Sequence, residues 1–316
     1  MNAARSRIAA IDIARGAALL AMFAYHLTWD LAYFGFVPPA TPFAPGFRLF
    51  SHAIASSFLF LAGVSLVLAR RDPFAWRPYL LHLGRIAGAA LLVTGASAIL
   101  FPQGLIFFGI LHCIALALVA ATPFLFLPPA AALLAAVVIA AMPALVHSTA
   151  FDHPVLLWTG LGTIEPSSND HRPFFPWAAP ALLGVGGALL ASRLSWRRAA
   201  APWRPVSPPV RVLALGGRRS LAVYLIHQPV FFAVLALIAA LSPPGQATAD
   251  HGFAQQCEAT CGASGASGSV CRATCGCVAR DMRALNLWDK LAADALDPAE
   301  RKILSNVTQA CLRRGG

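Results

Sequence analysis

The first long apolar segment of the chain holds four ionisable side chains, Asp12, Arg15, His26 and Asp30. Burying such groups in a membrane-length segment is costly, so they are candidates for function. An imidazole titrates near neutral pH and can bind or release a proton. His26 is therefore a candidate for proton transfer. Asp12 and Arg15 are three residues apart and could pair.

The spacing of these residues predicts that they share one face of a helix. Positions 12, 15, 19, 22, 26, 29, 30 and 33 follow steps of three and four residues, apart from the adjacent 29 and 30, and they include Asp12, Arg15, His26, Trp29 and Asp30. Such a stripe covers roughly 100° of a helix surface, and it must face protein rather than lipid. His26 is eleven residues beyond Arg15, or roughly 16 Å along the axis. We expect Trp29 and Asp30 at the far interface, where they would bind a substrate.

Three further histidines lie in other apolar segments and could converge on this stripe. They are His52, His112 and His227, and His227 is followed by Gln228 and Pro229. Pro229 has no backbone donor, so a carbonyl one turn earlier is released beside His227. We predict His26, with His52 as the nearest alternative, as the reacting group. His112 and His227 are predicted to assist or orient it, and Gln228 to bind substrate.

A polar segment before a later apolar stretch combines charge with aromatic rings. It contains Asp170, His171, Arg172 and Trp177. Asp170, Arg172 and Trp177 are predicted to form a wall that binds an acceptor substrate. The alternative is an aromatic belt at the membrane interface with solvated charges.

The amino-acid composition indicates the class of protein fold that positions these groups. The sequence is 58% hydrophobic and only 12% charged over 316 residues, which excludes an ordinary soluble enzyme. We predict an all-α, polytopic transmembrane helix bundle of about seven spans. The predicted spans are 8–30, 50–69, 83–101, 105–121, 126–146, 174–193 and 220–241. The apolar piece at 154–162 is too short to span and could form a re-entrant helix.

The basic residues indicate orientation rather than a nucleic-acid partner, despite the net charge of +11. Most lie in alternate connections, and the opposite loops hold only Arg48 and Arg172. The amino terminus is therefore predicted to be cytoplasmic, in a multi-pass membrane protein. The basic residues concerned are Arg5, Arg7, Arg70, Arg71, Arg77, Arg85, Arg193, Arg197, Arg198, Arg204, Arg211, Arg218 and Arg219.

The segment 245–316 differs in character from the predicted membrane domain 1–244. It holds six of the seven cysteines, which suits an oxidising, periplasmic location. Helical spacing favours the pairs Cys261–Cys271, Cys257–Cys275 and Cys277–Cys311, although fifteen pairings are possible. Zinc binding is the alternative, but no metal is expected. A last helix should begin at Asp297 and Pro298.

The motif Asp12-Ile-Ala-Arg15-Gly16 with His26 resembles the first-span signature of membrane acyltransferases. The wider run 15–35 is similar to the catalytic domain of heparan-alpha-glucosaminide N-acetyltransferase-like bacterial membrane proteins. The stretches 58–63, 108–112, 170–177 and 217–229 agree with that resemblance. In the eukaryotic enzyme the key His follows the first span, whereas 37–47 contains none here.

This resemblance implies a multi-pass protein of a bacterial inner membrane that transfers an acetyl group from cytoplasmic acetyl-CoA to an extracytoplasmic glycan or amino sugar. His26 would then serve as the base or the acyl carrier. Coenzyme A is a large anion, and its phosphates would meet the basic cytoplasmic side. The residues expected there are Arg15, Asp12, Arg85, Arg218 and Arg219. A proton-coupled small-molecule transporter and an envelope assembly protein acting through the Cys-rich segment are the alternatives. A homo-oligomer is also possible.

Overall fold

A computed structural model describes residues 8–193, 207–241, 253–254, 257–258, 260–262, 266–292 and 296–315. These residues form helices and connecting turns, and no strand occurs among them. The all-α class is therefore as predicted. Arg5, Arg7, Arg197, Arg198, Arg204 and the predicted domain boundary at 244 lie outside the described residues.

Five helical segments are long and apolar enough to cross a membrane. They are α1 (Ala9–Tyr33), α2 (Pro45–Ala69), α3 (Trp76–Leu100), the segment Phe174–Arg193 and α9 (Ser220–Leu241). Phe174–Arg193 consists of α6 (Phe174–Trp177) and α7 (Ala179–Arg193), with a non-helical residue at Phe175. These five match five of the predicted spans in order.

The other two predicted spans form shorter apolar helices. They are α4 (Ile110–Ala121), which continues as a 3-10 helix over Thr122–Phe126, and α5 (Pro129–Leu145). Helix α4 begins at Ile110 rather than at 105, with Gly109 as its N-cap, and α5 begins at Pro129, whose fixed φ suits a first helical turn. The predicted re-entrant piece is only a 3-10 helix, Pro154–Thr159.

Sequence reasoning missed the helix α8 (Pro208–Arg218). It follows Ser207 and begins with two prolines, whose fixed φ suits a first helical turn. It has only 11 residues, and Arg211 interrupts its apolar positions, so it lacks the hydrophobic run that marks a span. It ends at Arg218, directly before Arg219 and the start of α9.

The described helices divide into two compact units, of which the first comprises Met1–Phe23 and Phe50–His227. Its core is built on buried leucine, valine and alanine side chains of α2, α3, α4, α5 and α7. Helices α2 and α7 pack at close range, because a Cβ at Gly63 would overlap the carbonyl oxygen of Ala181. Gly184 makes the reciprocal approach to the carbonyl of Phe60. Small residues thus let these two backbones touch.

The second unit comprises Ala24–Leu49 and Gln228–Gly316. Its Cys-rich part contains α10 (Gly268–Ala284), α11 (Trp288–Ala292) and α12 (Pro298–Gly315). The disulfides are Cys257–Cys275, Cys261–Cys271 and Cys277–Cys311, the pairings that the spacing favours. Their sulfurs are bonded to one another and are therefore not thiolate ligands for zinc.

The start of α12 is as the sequence predicts. The Asp297 side chain accepts a hydrogen bond from the Glu300 backbone at 2.8 Å, and the Glu300 side chain accepts one from the Asp297 backbone at 2.9 Å. This reciprocal pair is a capping box, which satisfies donors that the first turn leaves open. Met282 and Trp288 are buried beside it in a small apolar core.

Candidate functional site

The first unit contains a cavity of about 1220 Å³ whose wall is rich in arginine. It is enclosed by residues of α1, α2, α3, α4 and α9. All five residues predicted to bind the cofactor line it, and so do three basic residues that complete the set. The eight are Asp12, Arg15, Arg70, Arg71, His82, Arg85, Arg218 and Arg219. With six guanidinium groups and one carboxylate, this wall favours an anionic ligand.

The charged end of the cavity forms where the amino end of α1 meets the carboxyl end of α8. A Cβ at Gly217 would overlap the carbonyl oxygen of Asp12, and one at Gly16 would overlap that of Leu213. This backbone contact brings Arg218 to Asp12, where Nε donates to Oδ2 at 3.1 Å. Two glycines therefore set the position of the arginines that follow α8.

Two further features add positive character at the same wall. Arg15 donates a hydrogen bond to the Ser65 hydroxyl of α2, which directs its guanidinium to the cavity. Ser220, the first residue of α9, also lines the cavity. The amino end of a helix carries partial positive charge and open N–H donors, so it attracts an anion.

The inner part of the cavity is apolar. Its lining includes Phe58 of α2, Ile110 and Leu111 of α4, and Leu221 and Tyr224 of α9. Phe58 and Ala69, both at the wall, are eleven residues apart on α2, so the cavity extends roughly 16 Å along that helix. The shape suits a ligand with a polyanionic head and a long, weakly polar arm.

The second unit holds His26 in a chain of side-chain hydrogen bonds. His26 Nδ1 lies 2.9 Å from Gln228 Oε1, and Gln228 Nε2 donates to Asp30 Oδ1 at 2.6 Å. His26 and Asp30 are one turn apart on α1, and Gln228 reaches them from α9. The sequence singled out all three residues, but it did not connect them. Trp29 stacks on Tyr33 at 5.8 Å in the same unit.

His112 and Asp170 both accept hydrogen bonds from backbone N–H groups at the start of α4. The Asp170 carboxylate accepts a hydrogen bond from the Ile110 backbone at 2.8 Å. His112 Nδ1 accepts one from the Gly109 backbone at 3.2 Å, and its Nε2 lies 3.3 Å from the Thr94 hydroxyl. Both ring nitrogens of His112 therefore have protein partners. These contacts place His112 in a capping role within the first unit.

His227 and His52 lie in different surroundings of the first unit. His227 is 5% exposed, stacks on Phe23 at 5.1 Å, and donates from Nδ1 to the Tyr224 carbonyl at 2.6 Å. His52 is exposed and meets the edge of Trp177 at 5.0 Å. Both remain predicted participants in the reaction.

The predicted acceptor wall is held together by its own contacts. The Arg172 guanidinium lies 4.8 Å from the Trp177 ring centroid, and its Nη2 donates to the Ser51 hydroxyl at 2.6 Å. Arg172 Nε is 3.8 Å from the Asp170 carboxylate. The connection therefore presents a fixed arginine and a fixed tryptophan.

Two ionisable groups in the connections have shifted pKa values. Burial lowers the pKa of His171, whose ring lies 5.3 Å from that of Phe107 and whose buried Nδ1 has no partner among the described residues. The pKa of Asp152 is lowered chiefly by a hydrogen bond from the Thr163 hydroxyl. His171 is thus kept neutral, and Asp152 is kept charged.

His82 is a cavity residue that sequence reasoning missed. It lines the wall with Tyr79 and Arg85 of the same helix. The signal was present in the spacing, since positions 79, 82 and 85 fall on one helical face. His82 lies one residue before the predicted third span, 83–101, and so falls outside the apolar segments that contain the candidate histidines.

The family model described as heparan-alpha-glucosaminide N-acetyltransferase, catalytic, matches residues 7–229, which is well over half of the chain. The chain belongs to this acetyltransferase family. No curated protein and no solved structure matches the sequence. The family match includes every residue of the arginine-lined cavity, and it ends one residue after Gln228.

Membership of the acetyltransferase family and the membrane-length helices together identify a multi-pass membrane protein of the acetyltransferase type. The Cys-rich segment lies beyond the matched residues. The cavity, rather than that segment, is therefore the first place to look for the acetyltransferase chemistry.

Proposed function

We propose that this protein transfers an acetyl group from cytoplasmic acetyl-CoA to an extracytoplasmic glycan or amino sugar. The observation that carries the proposal is the cavity of about 1220 Å³, with arginine at one end and an apolar interior. Family membership supports the reaction type, and the cavity is the proposed donor site.

The residues of the cavity fit the parts of acetyl-CoA. Arg85, Arg218 and Arg219 would hold the phosphates, because guanidinium groups bind phosphate oxygens in pairs of hydrogen bonds. Tyr79 and Phe74 offer rings for the adenine. The apolar lining near Phe58 and Leu111 would receive the pantetheine arm.

Acetyl-CoA provides an activated thioester, so the protein must supply a base and hold the acceptor. We assign the base to His26, with His52 as the nearest alternative and with His112 and His227 as residues that assist or orient it. The acceptor's nitrogen or oxygen loses its proton to the imidazole and bonds to the acetyl carbon as the C–S bond breaks. The imidazolium returns that proton to the departing sulfur, so coenzyme A leaves as the thiol. Asp170, Arg172, Trp177 and Trp29 are proposed to bind the acceptor.

The proposed orientation places the arginine-lined end of the cavity in the cytoplasm, where acetyl-CoA is available. Arg70, Arg71 and Arg85 belong to the connection and helix that the positive-inside rule assigns to that side. The three disulfides support a periplasmic location for the Cys-rich segment. This orientation is that of a bacterial inner-membrane protein.

Sealed proteoliposomes test the proposal. Radiolabelled acetyl-CoA is supplied on one side and glucosamine on the other, and acetylated sugar and free coenzyme A are measured. The proposal expects labelled acetyl sugar in the compartment that never contained acetyl-CoA. Label-free sugar, together with proton-dependent uptake of glucosamine, would instead favour a transporter.

A further inference from the structure

We infer that Asp30 and Gln228 are positioning residues that fix the protonation state of His26. The inference rests on the proposed function and deepens it, because it explains how one ring nitrogen of His26 becomes the base. It gives Asp30 and Gln228 a role different from the substrate binding that the sequence suggested.

The geometry places Gln228 between two groups of α1. Its Oε1 lies 2.9 Å from His26 Nδ1, while its Nε2 lies 2.6 Å from Asp30 Oδ1. His26 and Asp30 are four residues apart, so their side chains point the same way from one helical face. A single amide from α9 therefore spans one turn of α1.

When the Asp30 carboxyl is ionised, the donors and acceptors of these three side chains allow one arrangement. An ionised carboxylate only accepts hydrogen bonds, so Asp30 requires the Nε2 end of the Gln228 amide. The Oε1 end then faces His26, and since Oε1 only accepts, His26 Nδ1 must carry the proton. A neutral imidazole with hydrogen on Nδ1 has its lone pair on Nε2. Nε2 is thus the atom that takes the acceptor's proton.

Burial strengthens this assignment. Asp30 is 0% exposed, so its side chain offers no surface to an acceptor substrate. Its second oxygen, Oδ2, is buried without a hydrogen-bond partner among the described residues. The carboxylate of Asp30 therefore acts by orienting the Gln228 amide. A polar group buried inside apolar helices is costly, and it is retained where it orients a reacting neighbour.

Aromatic side chains one turn further along α1 and α9 hold the three hydrogen-bonded residues in register. Phe232, one turn after Gln228, lies 4.8 Å from Phe34 and 5.2 Å from Tyr33, measured between ring centroids. Phe34 follows Asp30 by one turn. These contacts fix α9 against this part of α1, so the Gln228 amide is presented in one position.

Solid-state NMR of full-length protein with ¹⁵N-labelled histidine tests the assignment directly. At alkaline pH the wild type should show His26 protonated at Nδ1, the signal being identified by its loss in His26→Gln. Gln228→Leu should move the proton to Nε2, the form that an isolated imidazole prefers. The pair Asp30→Asn with Gln228→Glu should restore Nδ1–H, because the new carboxylate at 228 accepts from His26 and from the amide at 30.

Kinetics provide the second test. Gln228→Leu should lower kcat on the order of 10²-fold, the usual contribution of a general base. Its KM for acetyl-CoA should stay within about twofold, and the double variant should recover most of the rate. Gln103→Leu makes the same change at an exposed position and should keep wild-type kinetics.

Two results would overturn the assignment of the proton to Nδ1. One is a wild-type His26 that is protonated at Nε2, and the other is a Gln228→Leu variant with wild-type kcat. If Gln228→Leu does not fold, the double variant decides, and its Nε2–H form would overturn the inference as well. A wild type that binds no acetyl-CoA refutes the proposed function instead. In that case the NMR measurement still tests whether Gln228 and Asp30 position His26.

Discussion

Arg218 and Asp12 are 206 positions apart in the sequence, yet they form an ion pair of 3.1 Å at the wall of the arginine-lined cavity. The pair joins the end of α8 to the start of α1, where the two backbones are in contact at Gly217 and Gly16. Asp12 thus neutralises one arginine of the wall and holds it in place. The other cavity arginines keep the net positive charge that an anionic ligand requires.

Gly217→Ala should disrupt this helix contact. Its Cβ would overlap the Asp12 carbonyl oxygen, and forcing an extra carbon into such a contact costs about 1–3 kcal/mol. We expect a lower thermal midpoint in detergent and weaker acetyl-CoA binding. Gly216→Ala on the same helix is the matched control, because nothing lies within 4 Å of the added carbon. Equal behaviour of the two variants would refute the contact.

Asp170→Ala should destabilise the start of α4. The Ile110 backbone would lose its acceptor, and loss of a hydrogen bond to a charged group costs about 1.5–3 kcal/mol. The thermal midpoint should fall by roughly 2–4 °C for each kcal/mol. Asp170→Asn keeps an acceptor oxygen and should lose less. An alanine variant as stable as wild type would argue against this capping role.

Acid should weaken the connection that contains His171. Burial lowers the pKa of His171 in the folded protein, so the unfolded chain binds the proton more readily. The stability that neutral His171 contributes is present above pH 6.5, its ordinary value, and is lost as pH falls through the lower, folded-state pKa. The thermal midpoint, measured from pH 7.5 to 5, should therefore fall less in His171→Gln than in wild type. A fall as large in His171→Gln as in the wild type would contradict this role of His171.

The three disulfides should not contribute equally to the Cys-rich segment. Cys277–Cys311 has a sequence separation of 34 and Cys261–Cys271 one of 10. Each bridge lowers the entropy of the unfolded chain, which stabilises the folded segment by about 4 kcal/mol for Cys277–Cys311 and by about 3 kcal/mol for Cys261–Cys271. Replacing both members of a pair by serine in the full chain, followed by limited proteolysis, checks this. Faster cleavage of the Cys261/Cys271 variant than of the Cys277/Cys311 variant would contradict the order.

The apolar segments could be predicted from the sequence because a membrane-length run of hydrophobic residues has few other uses. Helix α8 could not, since it has only 11 residues and lacks an apolar run of membrane length. The late start of α4 depends on hydrogen bonds that His112 and Asp170 accept from the Gly109 and Ile110 backbones, and the second of these joins residues 60 positions apart.

The candidate site was predictable as a set of residue types but not as contacts. Arg15, Arg85 and Arg218 stood out as basic residues, yet only the fold places them on one cavity wall. The hydrogen bond between Asp30 and Gln228 joins residues 198 positions apart, so the spacing of residues within one helix does not reveal it. One sequence reveals spacing within a helix, whereas contacts between helices depend on how the chain packs.

Equilibrium binding of radiolabelled acetyl-CoA to the purified protein tests the central claim most directly. The wild type should bind with an affinity that falls as salt rises, because the contacts are ionic. Arg85→Ala combined with Arg219→Ala should weaken binding at least about tenfold, that is by about 1.4 kcal/mol or more. Arg77→Ala, which removes an exposed arginine outside the cavity, should bind like wild type. Binding that is absent in the wild type, or equal in all three proteins, would contradict the account.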